Sequence, residues 1–184
     1  MSMNKTVLVD FDGVMCDMLT PLIELFNKQF DCSFTIKNIG SWTLPENMKP
    51  IFLHTPDFFA NLKPFDGAIE GVKTLAEDFE VYFVTDALSK PNIAKDKLRW
   101  REKHGLEDIP IIITGNKGMI KGDIIIDDAP HHLKSFIEAG TNRFGISVDL
   151  MGAPYTKKLD PSILPYITVA KSWKEIIYQI EHFC

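Results

Sequence analysis

Four short apolar runs, separated by stretches with helical periodicity, constrain the fold more than any other feature of this sequence. They span residues 6–10, 81–85, 110–114 and 123–127, and each is almost continuously apolar. Strands of this kind are typical of a parallel sheet that helices cover on both faces. The pattern therefore predicts an α/β fold with a Rossmann-like open parallel sheet.

The segments around these runs predict the helices that cover the sheet. The expected elements are helices at about 71–78, 92–104 and 131–139, a strand at about 144–148, and a final helix that begins at the capping box formed by Ser172 and Glu175. Strands and helices alternate through this part of the chain, as they do in open α/β sheets.

One stretch breaks the alternation, because about 70 residues separate the first predicted strand from the second. Residues 17–30 predict a helix with Pro21 in its first turn, where proline is tolerated. A segment rich in Trp, Phe and Pro follows. We expect a small, mainly helical cap insert at 15–70, above the carboxyl edge where open α/β sheets bind ligands. Residues 1–14 and 71–184 are expected to form the core domain.

Composition and charge argue against several classes of protein. The net charge of −5 and the lack of a Lys/Arg stripe argue against binding of polymeric nucleic acid. The three cysteines, Cys16, Cys32 and Cys184, include no CxxC pair, which argues against a disulfide framework and a structural zinc site. No apolar run approaches the roughly 18 residues of a membrane span, and no signal peptide is recognisable, so we expect a cytoplasmic protein.

Two pairs of carboxylates follow predicted strands. Asp10 and Asp12 end the first run, with Gly13 allowing a sharp turn, and Asp127 and Asp128 end the fourth. Adjacent carboxylates repel each other unless a cation lies between them, and oxygen ligands suit Mg²⁺. If the two strands are neighbours, the sequence predicts a magnesium site at this edge; solvated acidic turns are the alternative.

Single polar residues follow the other two runs. Thr85 ends the second run and is followed by Asp86, and a hydroxyl at this place can donate to a phosphate oxygen. Lys117 lies in a glycine-flanked loop after the third run, where an ammonium can neutralise a phosphate and steady the carboxylates. Taken alone, a strand-terminal Thr is usually structural and a loop Lys usually solvated.

The ordered set of Asp-x-Asp, Thr, Lys and Asp-Asp, each after a strand, resembles the four-motif pattern of the haloacid dehalogenase (HAD) superfamily of phosphatases. Finer features resemble the 5'(3')-deoxyribonucleotidases within it. The matching segments are Val7–Met15, Phe58–Ala68, Lys97–Trp100 and Asn116–Asp128.

This resemblance implies a mechanism and a substrate. Asp10 is expected to attack phosphorus and form an aspartyl-phosphate, and Asp12 to act as general acid and then base. Mg²⁺ is expected on Asp10, the backbone carbonyl of Asp12 and Asp128, with Asp127 as a supporting acid. The expected substrates are deoxyribonucleoside monophosphates.

The resemblance also implies the residues that bind the substrate. Thr85 and Lys97 are expected to contact the phosphate, with Asp86 beside it, and an aromatic pocket under the insert is expected to hold the base. Its candidates are Trp42, Phe58 and Phe59, although each ring can equally belong to the core.

The sequence departs from the family at two places. The family usually has Thr-Ser where this chain has Thr85-Asp86, and the insert matches poorly at 31–55. Base preference therefore stays open, as does the oligomeric state, a homodimer being one option. The alternative functions are a HAD phosphatase acting on a sugar phosphate or another small monoester, a phosphate-responsive module like a receiver domain, and a non-catalytic interaction protein.

Overall fold

The computed structural model describes residues 5–42, 44–87 and 91–183. The strands within these ranges are β1 (Thr6–Val9), β2 (Cys16–Asp17), β3 (Lys63–Pro64), β4 (Glu80–Thr85), β5 (Ile111–Ile113), β6 (Ile124–Asp127), β7 (Phe144–Val148) and β8 (Ile167–Ala170). Six of them form one parallel sheet in the order β5-β4-β1-β6-β7-β8. The other two, β2 and β3, pair antiparallel in a small ribbon.

The α/β fold with an open parallel sheet is confirmed, as are all five predicted strands. The strand β8 was missed because it lies at the sheet edge and is only partly covered. Its sequence, Ile-Thr-Val-Ala, therefore lacks the continuous apolar run that marks the buried strands.

The helices within the described ranges are α1 (Leu19–Phe30), α2 (Lys49–His54), α3 (Ala68–Asp78), α4 (Pro91–Lys103), α5 (Pro130–Glu138) and α6 (Trp173–Phe183), with short 3₁₀ helices between them. The predicted helices are confirmed within a few residues. One half of the predicted capping box forms, since Ser172 Oγ accepts from the amide of Glu175 at 3.2 Å. Glu175 Oε2 accepts from the amide of Lys171 at 2.8 Å, one residue before Ser172. Within the described ranges, every helix is too short or too polar to span a lipid bilayer.

The central strand β1 explains why the sheet is buried on both faces. Val7 and Val9 contribute to one hydrophobic cluster, whereas Leu8 contributes to a second cluster on the opposite face. The first cluster includes the buried indoles of Trp100 and Trp173. The alternation of side chains along a strand thus links both layers of helices to β1.

The segment between β1 and α3 carries α1, α2, β2, β3 and 3₁₀ turns at 36–38 and 59–61. It is fastened to α4: Trp100 Nε1 donates to the carbonyl of Leu62 at 2.8 Å, and Arg99 pairs with Asp57. The division into a core and a cap domain remains a prediction.

Candidate active site

The centre of the candidate site is a buried lysine between two aspartates. Lys117 Nζ lies 2.6 Å from Asp10 Oδ1 and 2.7 Å from Asp127 Oδ2, and its side chain is fully buried. The sheet creates this arrangement because β1 pairs with β6, and the amide of Asp10 donates to the carbonyl of Ile126 at 2.9 Å. The two acid pairs therefore meet at one edge of the sheet.

The electrostatics of these three residues differ despite their proximity. Burial raises the pKa of Asp10 to about 6, although the Lys117 ammonium opposes the shift. Burial would also raise the pKa of Asp127, but Lys117 and His132 hold it well below its usual range. Burial would lower the pKa of Lys117, yet Asp10 and Asp127 raise it above its usual range. Lys117 is therefore a stable cation that pairs with both Asp10 and Asp127.

A second lysine connects Asp12 to the end of β4. Lys97 Nζ, on α4, donates to Asp12 Oδ2 at 2.5 Å and to Thr85 Oγ1 at 2.6 Å. The lysine is fully buried, and its ammonium lies 5.3 Å from the ring centre of Phe59. Helix α4 thus fixes the position of Asp12, whose side chain stays partly exposed toward the cavity.

Asp128 lies against the turn that follows β1. Gly13 has a φ of +82°, and a Cβ there would come within 2.3 Å of Asp128 Oδ2. The Tyr155 hydroxyl donates to the same oxygen. Burial and the charges of Asp10 and Asp127 raise the pKa of Asp128 well above its usual range. The Lys117 charge opposes this shift, but its ammonium contacts Asp10 and Asp127 and not Asp128.

The Lys117 ammonium makes one side of the acidic centre less suitable for a divalent cation than the other. The side-chain donors of Asp10, Asp127 and His132 lie within 4.8 Å of one another. However, the Lys117 ammonium already lies between Asp10 and Asp127. On the side of Asp128, carboxylate oxygens line the cavity away from the Lys117 ion pairs, and oxygen donors are the ligands that Mg²⁺ prefers. These donors fit a hard divalent cation.

A cavity of about 310 Å³ opens above these groups. Asp10, Asp12, Thr85, Asp86 and Asp128 line its polar end. Its other wall is largely apolar and consists of Met18, Leu19, Trp42, Leu44, Phe52, Leu53, Phe59 and Ile93, with Lys49 among them.

The structure brings most of the predicted substrate residues to this cavity. Phe59 and Trp42 line it, and the Trp42 ring lies 4.6 Å from that of His131 and 5.5 Å from that of His132. Phe58 is not among the lining residues; its buried ring packs 5.1 Å from that of Phe59. Asp86 is exposed at the cavity rim.

Sequence reasoning missed two residues of the site. His132 lies in the first turn of α5, with Nδ1 3.3 Å from Asp127 Oδ2, and Tyr155 lies in a 3₁₀ helix at Pro154–Lys157. The position of His132, five residues after Asp127, is a usable signal, because a helix that follows a strand begins at the ligand edge. Tyr155 lies seven residues beyond β7, and no pattern in the sequence singles it out.

The fold and the site together define a class. A chain of the HAD hydrolase YfnB from Bacillus subtilis, bound to magnesium, is similar with a TM-score of 0.65 at 14% identity, covering 97% of this chain and 99% of that one. A haloacid dehalogenase-like hydrolase from Streptococcus pneumoniae gives 0.62 at 10% identity, covering 98% and 100%. These similarities show that the protein has the HAD fold.

The sequence comparisons identify the family within this class. A sequence profile described as "5' nucleotidase, deoxy (Pyrimidine), cytosolic type C protein" matches residues 4–180. The 5'(3')-deoxyribonucleotidase of Bacillus subtilis strain 168 is 33% identical over 141 residues, covering 73% of this chain and 81% of the relative. The one from Bacillus phage SPbeta gives the same figures. The chain belongs to this family and is a phosphoric monoester hydrolase of the HAD superfamily.

Proposed function

We propose that the protein is a magnesium-dependent 5'(3')-deoxyribonucleotidase that works through an aspartyl-phosphate on Asp10. The observation that carries the proposal is the meeting of Asp10, Asp12 and Asp128 at the polar end of a cavity with an apolar, partly aromatic wall. A phosphate at the acids and a base at the aromatic wall would occupy the two ends of this cavity. The relatives named 5'(3')-deoxyribonucleotidase favour the same substrate class.

The first step is in-line attack of Asp10 on phosphorus. Lys117 holds Oδ1 of Asp10 at 2.6 Å, so the second carboxylate oxygen is left to attack. The new bond joins this oxygen to phosphorus, and the bond from phosphorus to the nucleoside oxygen breaks. Mg²⁺ on Asp10, the Asp12 carbonyl and Asp128 would supply charge that offsets the repulsion between carboxylate and phosphate.

Asp12 carries the proton in both steps. It gives the proton to the departing nucleoside alkoxide and then takes one from the water that attacks the phosphoryl group on Asp10. Lys97 holds its Oδ2 at 2.5 Å and thereby orients the other oxygen. The second step releases inorganic phosphate and restores the carboxylate of Asp10.

The phosphoryl oxygens need donors that are in place before the reaction. Thr85 lines the cavity, and its hydroxyl can donate to the phosphate while Oγ1 accepts from Lys97 Nζ at 2.6 Å. Lys97 is fully buried and is not among the lining residues, so its ammonium would act on the phosphate through Thr85 and Asp12, which it holds in place. Preorganised donors of this kind contribute strongly to stabilisation of the transition state.

Phosphate release tests the proposal. The substrates are deoxyribonucleoside and ribonucleoside monophosphates, sugar phosphates and an aryl phosphate, each with Mg²⁺, and Asp10→Asn serves as the blank. We expect a clear preference for deoxyribonucleotides and no turnover by the variant. A preference for sugar phosphates would support the phosphatase mechanism but contradict the proposed deoxyribonucleotide substrate. An Asp10→Asn variant as active as the unsubstituted protein would refute the mechanism.

A further inference from the structure

Tyr155 contacts the acidic centre although it lies in none of the four motifs. Its hydroxyl donates to Oδ2 of Asp128, its side chain is buried, and it lines the cavity. We propose that Tyr155 is a positioning residue for the divalent cation: it fixes the carboxylate of Asp128 so that the other oxygen faces the metal. This inference rests on the proposed function, in which Asp128 binds Mg²⁺.

Two contacts restrict the orientation of the Asp128 side chain. Its backbone follows β6, which is paired on both sides in the middle of the sheet. The turn at Gly13 approaches so closely that a Cβ there would lie 2.6 Å from Asp128 Cγ. Tyr155 binds the carboxylate by a directed hydrogen bond. Contact with Gly13 restricts the carboxylate, and the hydrogen bond selects one of its orientations.

The two neighbouring acids at the carboxyl end of β6, Asp127 and Asp128, accept hydrogen bonds from different kinds of donor. Asp127 bonds to the Lys117 ammonium, which cancels its charge. Asp128 bonds to a phenol, which donates a proton without adding positive charge. Asp128 is therefore oriented by a donor that adds no positive charge to compete with a bound cation.

The segment that carries Tyr155 is itself held in place. Thr156 Oγ1 donates to the carbonyl of Ala153 at 2.8 Å, and the amide of Lys158 donates to the carbonyl of Tyr155 at 3.0 Å. This 3₁₀ helix contacts both α5 and the 3₁₀ turn at 36–38 of the insert. The phenol is thus anchored before any ligand binds, as an effective outer-shell donor must be.

The test measures Mg²⁺ binding rather than turnover. Isothermal titration calorimetry of the full chain, in phosphate-free buffer, compares the unsubstituted protein with Tyr155→Phe, which keeps the ring and removes the donor. Loss of an outer-shell partner typically weakens metal binding about 10–100-fold, and we expect a change of this size. The matched control is Tyr82→Phe, because Tyr82 also donates to a carboxylate, that of Glu80 at 2.9 Å, on the exposed amino-terminal end of β4. The control should bind Mg²⁺ as the unsubstituted protein does.

The outcomes separate this inference from the proposed function. Equal affinity of Tyr155→Phe and the unsubstituted protein would overturn the role of Tyr155 and leave the metal assignment standing. No binding of Mg²⁺ by the unsubstituted protein would overturn both.

A second measurement covers the case in which Tyr155→Phe does not fold. The chain has four tyrosines, so 3-fluorotyrosine labelling gives four ¹⁹F resonances. Three are assigned with Tyr82→Phe, Tyr166→Phe and Tyr178→Phe, which leaves the fourth for Tyr155. We expect Mg²⁺ to shift the Tyr155 resonance selectively; a resonance unchanged at saturating Mg²⁺ would overturn the proposal.

Discussion

Replacement of Gly13 by alanine tests the geometry of the acidic centre. Gly13 has a φ of +82°, and the new Cβ would lie 2.3 Å from Oδ2 and 2.6 Å from Cγ of Asp128. Two penalties follow: a strained left-handed backbone and a carboxylate that is pushed away from Tyr155. The backbone penalty for a residue other than glycine is about 1–2 kcal/mol.

A second glycine allows the two penalties to be separated. Gly152 has a φ of +68°, and a Cβ there would meet nothing within 4 Å. Gly152→Ala therefore carries the backbone strain without the clash. For a protein of this size about 1 kcal/mol corresponds to roughly 2–4 °C, so the backbone strain alone should cost Gly152→Ala roughly 2–8 °C in melting temperature. Gly13→Ala should lose more, because it also carries the clash with Asp128.

Activity should distinguish the two variants. Displacement of Asp128 removes a proposed metal ligand, so we expect Gly13→Ala to lose about 100-fold or more in kcat/KM at limiting Mg²⁺. Gly152→Ala should retain kcat/KM within about twofold, because it leaves Asp128 in place. The assay is phosphate release at several Mg²⁺ concentrations, beside thermal unfolding of both variants. Equal kcat/KM of the two variants would refute the argument that Gly13 is required by Asp128.

Three further predictions address the remaining parts of the site. The value of kcat/KM should fall as the pH drops through about 6, since burial raises the pKa of Asp10 to that value and the attacking carboxylate must be ionised. A higher Mg²⁺ concentration should move this fall to lower pH. A fall at the same pH at every Mg²⁺ concentration would contradict the metal assignment. Phe59→Ala should weaken nucleotide binding in calorimetry more than it weakens binding of inorganic phosphate, whereas Phe58→Ala, which alters a ring behind the cavity wall, should mainly lower the melting temperature. EDTA should abolish phosphate release and Mg²⁺ should restore it; full activity in EDTA would exclude the proposed role of the cation.

The sheet was predictable from the sequence because its inner strands are buried on both faces. The runs that end at Asp10, Thr85 and Asp127 are short, and each is apolar up to the polar residue that ends it. The sequence could not establish that β1 lies between β4 and β6, because strand order is decided by long-range packing. This order is what brings the two acid pairs together.

The contacts around the acids were less predictable. Lys97 matches the family motif, but its bridge between Asp12 and Thr85 depends on the rotation of α4 against the sheet. Tyr155 lies in a loop of ordinary composition, and only the three-dimensional path of the chain brings it to Asp128. A sequence search that includes the loop after each inner strand would have considered it.

The sequence also could not show which of two neighbouring aromatic residues lines the cavity. Phe58 and Phe59 are adjacent in the sequence and equally apolar, so composition cannot tell which ring faces a ligand. The 3₁₀ turn at 59–61 directs Phe59 to the cavity, whereas Phe58 packs behind it. Rotation within a single turn decides this difference.

The covalent intermediate on Asp10 is the central claim, and mass spectrometry can detect it directly. The protein to use is Asp12→Asn with 4-nitrophenyl phosphate and Mg²⁺, because the nitrophenolate leaves without needing a proton while the asparagine cannot activate water. After rapid acid quench, the account predicts one phosphoryl group on the peptide that contains Asp10, together with a burst of nitrophenolate of about one equivalent per chain. A variant that turns over repeatedly with no phosphoryl group on Asp10, or with the group on another residue, would contradict the account.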